Sequence, residues 1–214
     1  MKYLNLIALI LVIAVNYLAN ALPLNDITTG ALSDLYPNLF VPAGVTFSIW
    51  GLIYIMLIVL VFRRIKSPDT MNKQFDIYFI ASCIANAAWI FTWHYKAVFL
   101  SWIIMLALLY SLINMFLILQ KESSVDVWIS RTISLYLGWI SVATIASTTT
   151  LLVDLGYTGL PFGEVLWTQI VMTVAFLLGM YFLFQRLDFI FPAVIVWALI
   201  GIGIKQQEQE VMVL

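Results

Sequence analysis

The sequence predicts an all-α, polytopic transmembrane helix bundle, and three observations carry that prediction. Of 214 residues, 64% are hydrophobic and only 10% charged, more apolar surface than one soluble core of this size can hide. The apolar residues fall into seven stretches, roughly 3–22, 43–62, 77–95, 98–119, 129–153, 164–185 and 189–204, and about 20 such residues cross a hydrocarbon layer about 30 Å thick. The Lys and Arg residues between those stretches favour one side of the membrane.

The first stretch follows Lys2 and carries Asn16 and Asn20 one turn apart on one face, which suits packing against sister helices. Lys2, the apolar run and Ala19-Asn20-Ala21 also have the layout of a cleavable secretory signal; cleavage would leave six spans. Residues 23–42 are rich in Pro, Gly, Asp and Asn, long enough to fold over a bundle mouth, and end at Pro42. They form a candidate lid. The third and fourth stretches meet at His94-Tyr95-Lys96, which leaves room only for a tight hairpin. Lys2, Arg63, Arg64, Lys66, Lys73, Lys121, Arg131 and Arg186 fall on one side, against Lys96 and Lys205 on the other. The positive-inside bias puts the N-terminus in the cytoplasm and the lid outside, in a multi-pass plasma or inner membrane protein.

Several functions lose their parts. A formal charge of −1 without like-charge runs excludes a nucleic-acid footprint. No ionisable residue lies near the centre of any span, so proton pumping, carboxylate hydrolysis and retinal chemistry lack their groups. His94 is the only histidine and stands at the membrane edge without a Cys or carboxylate at ligand spacing; an interfacial hydrogen-bonding role is favoured over haem ligation. Cys83, alone among Ile and Ala, reads as a small buried hydrophobe. Leu178, Tyr181 and Arg186 match a cholesterol-type pattern of a kind that chance produces in many membrane helices.

The spans carry aromatic and amide side chains in helical register. Phe47, Trp50 and Tyr54 share a face of the second span; Asn86, Trp89 and Trp93 of the third; Tyr136, Trp139, Ala143 and then Ser147 of the fifth. Turned inward, these faces would wall an apolar cavity suited to a flat, partly polar ligand. Interhelical packing accounts equally for the deep Trp50, Trp89, Trp139 and Trp197, and interhelical hydrogen bonding for Asn86. Trp102, Trp128 and Trp167 fit interfacial belts, and Thr148, Thr149 and Thr150 can bond back to their own helix.

The run from Pro42 through Phe47 and Trp50 to Tyr54 resembles the proline-led W-x-x-x-Y segment opening the second helix of translocator proteins, the tryptophan-rich sensory protein family. Asn86-Ala-Ala-Trp89 is similar to that family's third-helix N-x-x-W, and the run from Tyr136 through Trp139 and Ala143 to Ser147 resembles its fifth-helix pattern. Leu135 replaces the family's proline, Val142 a phenylalanine, and Ala146-Ser147 a Leu-Asn pair; Phe47 sits one position nearer the tryptophan. The resemblance implies a five-helix core over 1–153, with 154–214 adding two helices and a polar tail as a divergent extended branch. It implies a membrane sensor that binds porphyrins or other flat lipophilic molecules, commonly as a homodimer, with no cofactor required and a porphyrin or haem-like molecule as candidate ligand. By the same resemblance Trp50, Asn86, Trp89, Tyr136, Trp139, Ala143 and Ser147 are ligand-contact candidates; Tyr54 and Trp93 join them by helix face. No acid–base pair marks an enzyme. Transport of another lipophilic solute and a membrane scaffold stand as alternatives.

Overall fold

A computed structural model describes residues 1–22, 24–66, 72–122, 124–157 and 163–213, with side chains through Gln207; Pro23, the first residue of the expected lid, lies outside them. Seven of its helices are long and apolar enough to cross a membrane. They are α1 (Lys2–Ala21), α3 (Ile49–Lys66), α4 (Lys73–His94), α5 (Val98–Leu119), α6 (Val127–Asp154), α7 (Glu164–Gln185) and α8 (Ile190–Val213), with a short α2 (Thr29–Ser33) in the first loop. The starts of α2, α4 and α6 carry side-chain oxygen caps that satisfy otherwise orphaned amides. The Asn72 side chain accepts from the Gln74 N–H at 2.9 Å, and Asp126 from the Trp128 N–H at 2.8 Å.

Helix packing closes a ring. α1 packs on α4, α4 on α5, α5 on α6, α6 on α3 and α3 back on α1; α8 lies against the outside of α6, and α7 against α8. All seven spans share one continuous core, to which α8 contributes Phe191, Val194, Ile195, Ala198 and Ile202. Small residues permit the closest crossings, as expected where lipid supplies no hydrophobic drive between helices. A Cβ on Gly138 of α6 would stand 3.1 Å from Cβ of Val194 on α8. Between α4 and α5 the chain reverses through Tyr95, Lys96 and Ala97, with Lys96 in the left-handed region at φ 57°. Its N–H donates to the Trp93 carbonyl at 2.9 Å, and the Ala97 N–H to Thr92 at 2.9 Å, closing the tight hairpin that the sequence predicts.

Two expectations change. The spans 43–62 and 77–95 stop short of the observed helix ends, because hydropathy falls at charged residues while the backbone ladder continues. Arg64 and Asp76 therefore lie inside α3 and α4, both fully buried. Arg64 donates through Nε and Nη2 to Oδ1 and Oδ2 of Asp76 at 3.0 and 2.9 Å, and Asn5 Nδ2 of α1 adds a third bond to Oδ1 at 2.7 Å. A bidentate pair with an extra donor offsets the cost of removing both charges from water. Likewise, the last span, expected to end at 204, runs on through the polar tail as α8 to Val213.

The first loop is structured throughout its described part. Leu24–Asp26 and Gly44–Ser48 form tight 3-10 turns on either side of α2, and Leu32, Phe40, Val41 and Ala43 are buried against the bundle. His94, also fully buried, fastens the loop's start. A carbonyl can only accept, so Nδ1 carries the proton that it gives to Leu24 O at 3.0 Å, and Nε2 accepts from the Thr29 hydroxyl at 3.0 Å. Both ring nitrogens are thus engaged.

Candidate functional site

Trp50 organises the aromatic side chains beneath the loop. Its indole stacks on Tyr54 (centroids 5.7 Å apart) and on Trp89 (6.4 Å), and meets Tyr136 (6.0 Å) and Trp139 (6.2 Å) edge-on. Trp89 in turn stacks on Trp93 at 6.2 Å, and Trp93 touches Tyr36 of the loop at 5.8 Å. The three faces read from the sequence do converge. Much of their area is spent on one another, in the offset and edge-on geometries that the ring quadrupole favours.

Two hollows flank this array, sharing Thr29, Phe47 and Trp50 as a common wall. The inner one, about 70 Å³, is roofed by Phe40, Val41 and Pro42 of the loop. Trp50, Trp89, Trp93, Trp139, Ala143 and Ser147 line it, as do Ala198 and Ile202 of α8. The outer one is a groove of about 500 Å³ between α1 and α3, bordered by Ile13, Asn16, Tyr17, Asn20, Gly51 and Tyr54. Drug-sized ligands occupy pockets of about 300–1,000 Å³. The groove has that capacity; the inner hollow does not.

Polar groups around the hollows divide into committed and uncommitted ones. Asn16 Nδ2 donates to Asn86 Oδ1 at 2.8 Å and Asn86 Nδ2 to the Tyr136 hydroxyl at 2.7 Å, a buried relay across α1, α4 and α6. Asn86 and Tyr136 therefore tie helices together, and neither lines a hollow. Trp93 Nε1 donates to Thr29 O at 3.3 Å. By contrast, the indole N–H groups of Trp89 and Trp139 are buried with no acceptor among the described residues, and both side chains line the inner hollow. An unmet buried donor costs about 1–3 kcal/mol. Among the described residues, no Lys, Arg, Asp or Glu borders either hollow.

A family model described as TSPO-like protein matches residues 2–214. The chain belongs to the TSPO-like protein family. The match extends over α7 and α8 as well as the five-helix ring. No curated protein and no solved structure matches the sequence significantly. With its seven apolar spans, this TSPO-like chain is a multi-pass membrane protein.

The TSPO-like chain uses α7 and α8 to hold the loop over the site. The Ala43 N–H donates to Gly201 O at 2.9 Å, Trp197 Nε1 to Thr46 O at 3.0 Å and Gln206 Nε2 to Leu39 O at 3.1 Å. Lys205 pairs with Asp34 at 3.0 Å, and Glu164 of α7 accepts from the Leu39 N–H at 3.1 Å. Sequence reasoning missed Thr29, Phe40, Ala198 and Ile202 as lining residues. Only the one-turn spacing of Ala198 and Ile202 gave a signal, and helix packing produces the same spacing. Trp102 and Trp167, read as belt residues, also donate to Thr148 and Thr149 at 3.0 and 3.4 Å, while both threonines bond back to their own helix.

Proposed function

We propose that this protein is a membrane sensor that binds a flat lipophilic ligand, a porphyrin or similar ring system, in the groove between α1 and α3 against Trp50 and Phe47. The observation that carries this reading is the groove of about 500 Å³ backed by a continuous aromatic array. A planar ring laid on that wall exchanges lipid contacts for stacking. The unmet N–H groups of Trp89 and Trp139 lie beyond the Phe47 and Trp50 wall, so a ligand edge that displaced Phe47 would gain two hydrogen bonds by presenting neutral acceptors. An ionised carboxylate would find no counter-charge among the described residues of either hollow and would stay at the groove's mouth. The loop faces the extracytoplasmic side in this reading, supported by Arg63, Lys66, Lys121, Arg131 and Arg186 at the opposite end of the bundle.

Purified protein in detergent is titrated with protoporphyrin while tryptophan emission is followed with inner-filter correction. Saturable quenching, weakened by Trp50→Phe and by Trp139→Phe, is expected. Quenching no greater than that of an unrelated membrane protein, or indifferent to both substitutions, would sink the proposal.

A further inference from the structure

At the end of the bundle remote from the loop, a third cavity, of about 240 Å³, opens between the first turns of α6 and the α7–α8 turn. Its polar lining is Gln120, Ser130, Arg131, Ser134, Arg186 and Asp188. The one carboxylate is already committed. Asp188 Oδ1 accepts the N–H groups of Ile190 (2.8 Å) and Phe191 (3.2 Å) at the start of α8, and Oδ2 accepts the Ser134 hydroxyl. Leu187, in the left-handed region at φ 51°, turns the chain so that Asp188 can cap that helix.

The two guanidiniums are less committed. Arg186 gives Nη2 to the Tyr181 hydroxyl at 2.8 Å and lies over that ring at 5.5 Å, but its Nε is buried without an acceptor among the described residues. Arg131 lies over Trp128 at 5.8 Å. Neither arginine has an ion pair among the described residues. The cavity thus presents two positive charges against one occupied carboxylate, with planar donor forks suited to tetrahedral oxyanions. Its depth identifies the source of the anion. α6 starts at Val127 and α7 stops at Gln185, and in helices long enough to span the hydrocarbon layer residues this near the ends, Arg131 and Arg186, fall near headgroup level. Leu187 and Phe189 beside them are 77% and 71% exposed, an apolar surface for acyl chains.

We propose that this cavity binds the phosphate of an anionic phospholipid through Arg131 and Arg186, with the lipid's chains against Leu187 and Phe189. The site is separate from the ligand groove and does not depend on what that groove binds.

Delipidated full-length protein in neutral detergent is mixed with phosphatidylglycerol, phosphatidylcholine, glycerol phosphate or inorganic phosphate, and bound lipid is counted by native mass spectrometry alongside thermal unfolding. Phosphatidylglycerol should be retained preferentially and raise the unfolding temperature. Arg131→Gln and Arg186→Gln should each weaken retention about five-fold, the scale of one cation near an anionic headgroup, and the double variant should lose more than either single one. Arg131 is exposed, so its variant keeps the test valid should Arg186→Gln fold poorly. Lys66→Gln, which removes a cation from the same end outside the cavity, should change nothing. Unchanged retention in the double variant would overturn the proposal, as would an equal loss with Lys66→Gln. Protection by inorganic or glycerol phosphate equal to that by the lipid would overturn the lipid assignment.

Discussion

Gly201→Ala tests whether α8 holds the loop in place. A Cβ at Gly201 would fall 1.9 Å from Oγ1 of Thr46, 2.8 Å from its Cγ2 and 2.9 Å from its Cβ. Thr46 is buried and sits in the 3-10 turn between the lid and α3, with its carbonyl held by Trp197. Rotating its side chain could relieve the first two contacts but not the third. The turn must therefore retreat, straining the adjoining hydrogen bond from Ala43 N–H to Gly201 O. Overpacking of this kind costs about 1–3 kcal/mol. The helix itself gains from alanine, by about 1 kcal/mol, so the net loss is up to about 2 kcal/mol. Gly203, with nothing within 4 Å of its added Cβ, isolates that gain. Thermal unfolding in detergent should thus rank Gly203→Ala at or above wild type and Gly201→Ala below it. Protease cleavage within the loop should rise only in Gly201→Ala, and Thr46→Ala should recover part of the loss. Equal stability of the two glycine variants, with equal loop protection, would refute the argument.

The remaining predictions concern the buried polar groups. Asp76→Asn removes the carboxylate charge that Arg64 grips through two bonds and should cost about 3–5 kcal/mol in thermal or denaturant unfolding; a loss under about 1 kcal/mol would mean the pair is hydrated. Asn86→Leu leaves Asn16 only its bond to the Val12 carbonyl and takes the amide donor from the Tyr136 hydroxyl, and should cost about 1–3 kcal/mol. Because Asn86 lines neither hollow, porphyrin affinity measured on the folded fraction should stay within about two-fold of wild type. His94→Phe removes both imidazole bonds to the loop's start, to Thr29 and Leu24, and hydrogen exchange at residues 24–33 should accelerate while the α4 and α5 cores stay protected.

How much of this could be read in advance follows from what helical periodicity encodes. Spacing identified the faces of Trp50, Trp89 and Trp139, since residues three and seven apart share a side of any helix. It could not say that Trp50 would stack on Trp89 and leave only about 70 Å³ between the rings, because that depends on helix separation and rotamers. Asn86 was ambiguous for the same reason: its partners lie on α1 and α6, and the register between helices is not written in any one of them. Arg64 and Asp76 were trimmed off their helices because a lone charge ends an apolar run whether it faces water or a partner. The contribution of α8 was illegible because its contacts with the loop, such as Gly201 to Thr46 and Gln206 to Leu39, join elements far apart in the chain.

The most direct test of the proposed ligand site uses Gly51, which borders the groove on α3 and whose added Cβ would meet nothing within 4 Å. Gly51→Leu fills the groove with a side chain while leaving the aromatic array intact. Protoporphyrin is titrated against wild type and Gly51→Leu, with unfolding temperatures measured in parallel. The account predicts saturable binding in wild type, at least a ten-fold weaker constant in the variant (about 1.4 kcal/mol or more), and an unfolding temperature no lower than wild type's. Undiminished binding by a well-folded Gly51→Leu protein would contradict it.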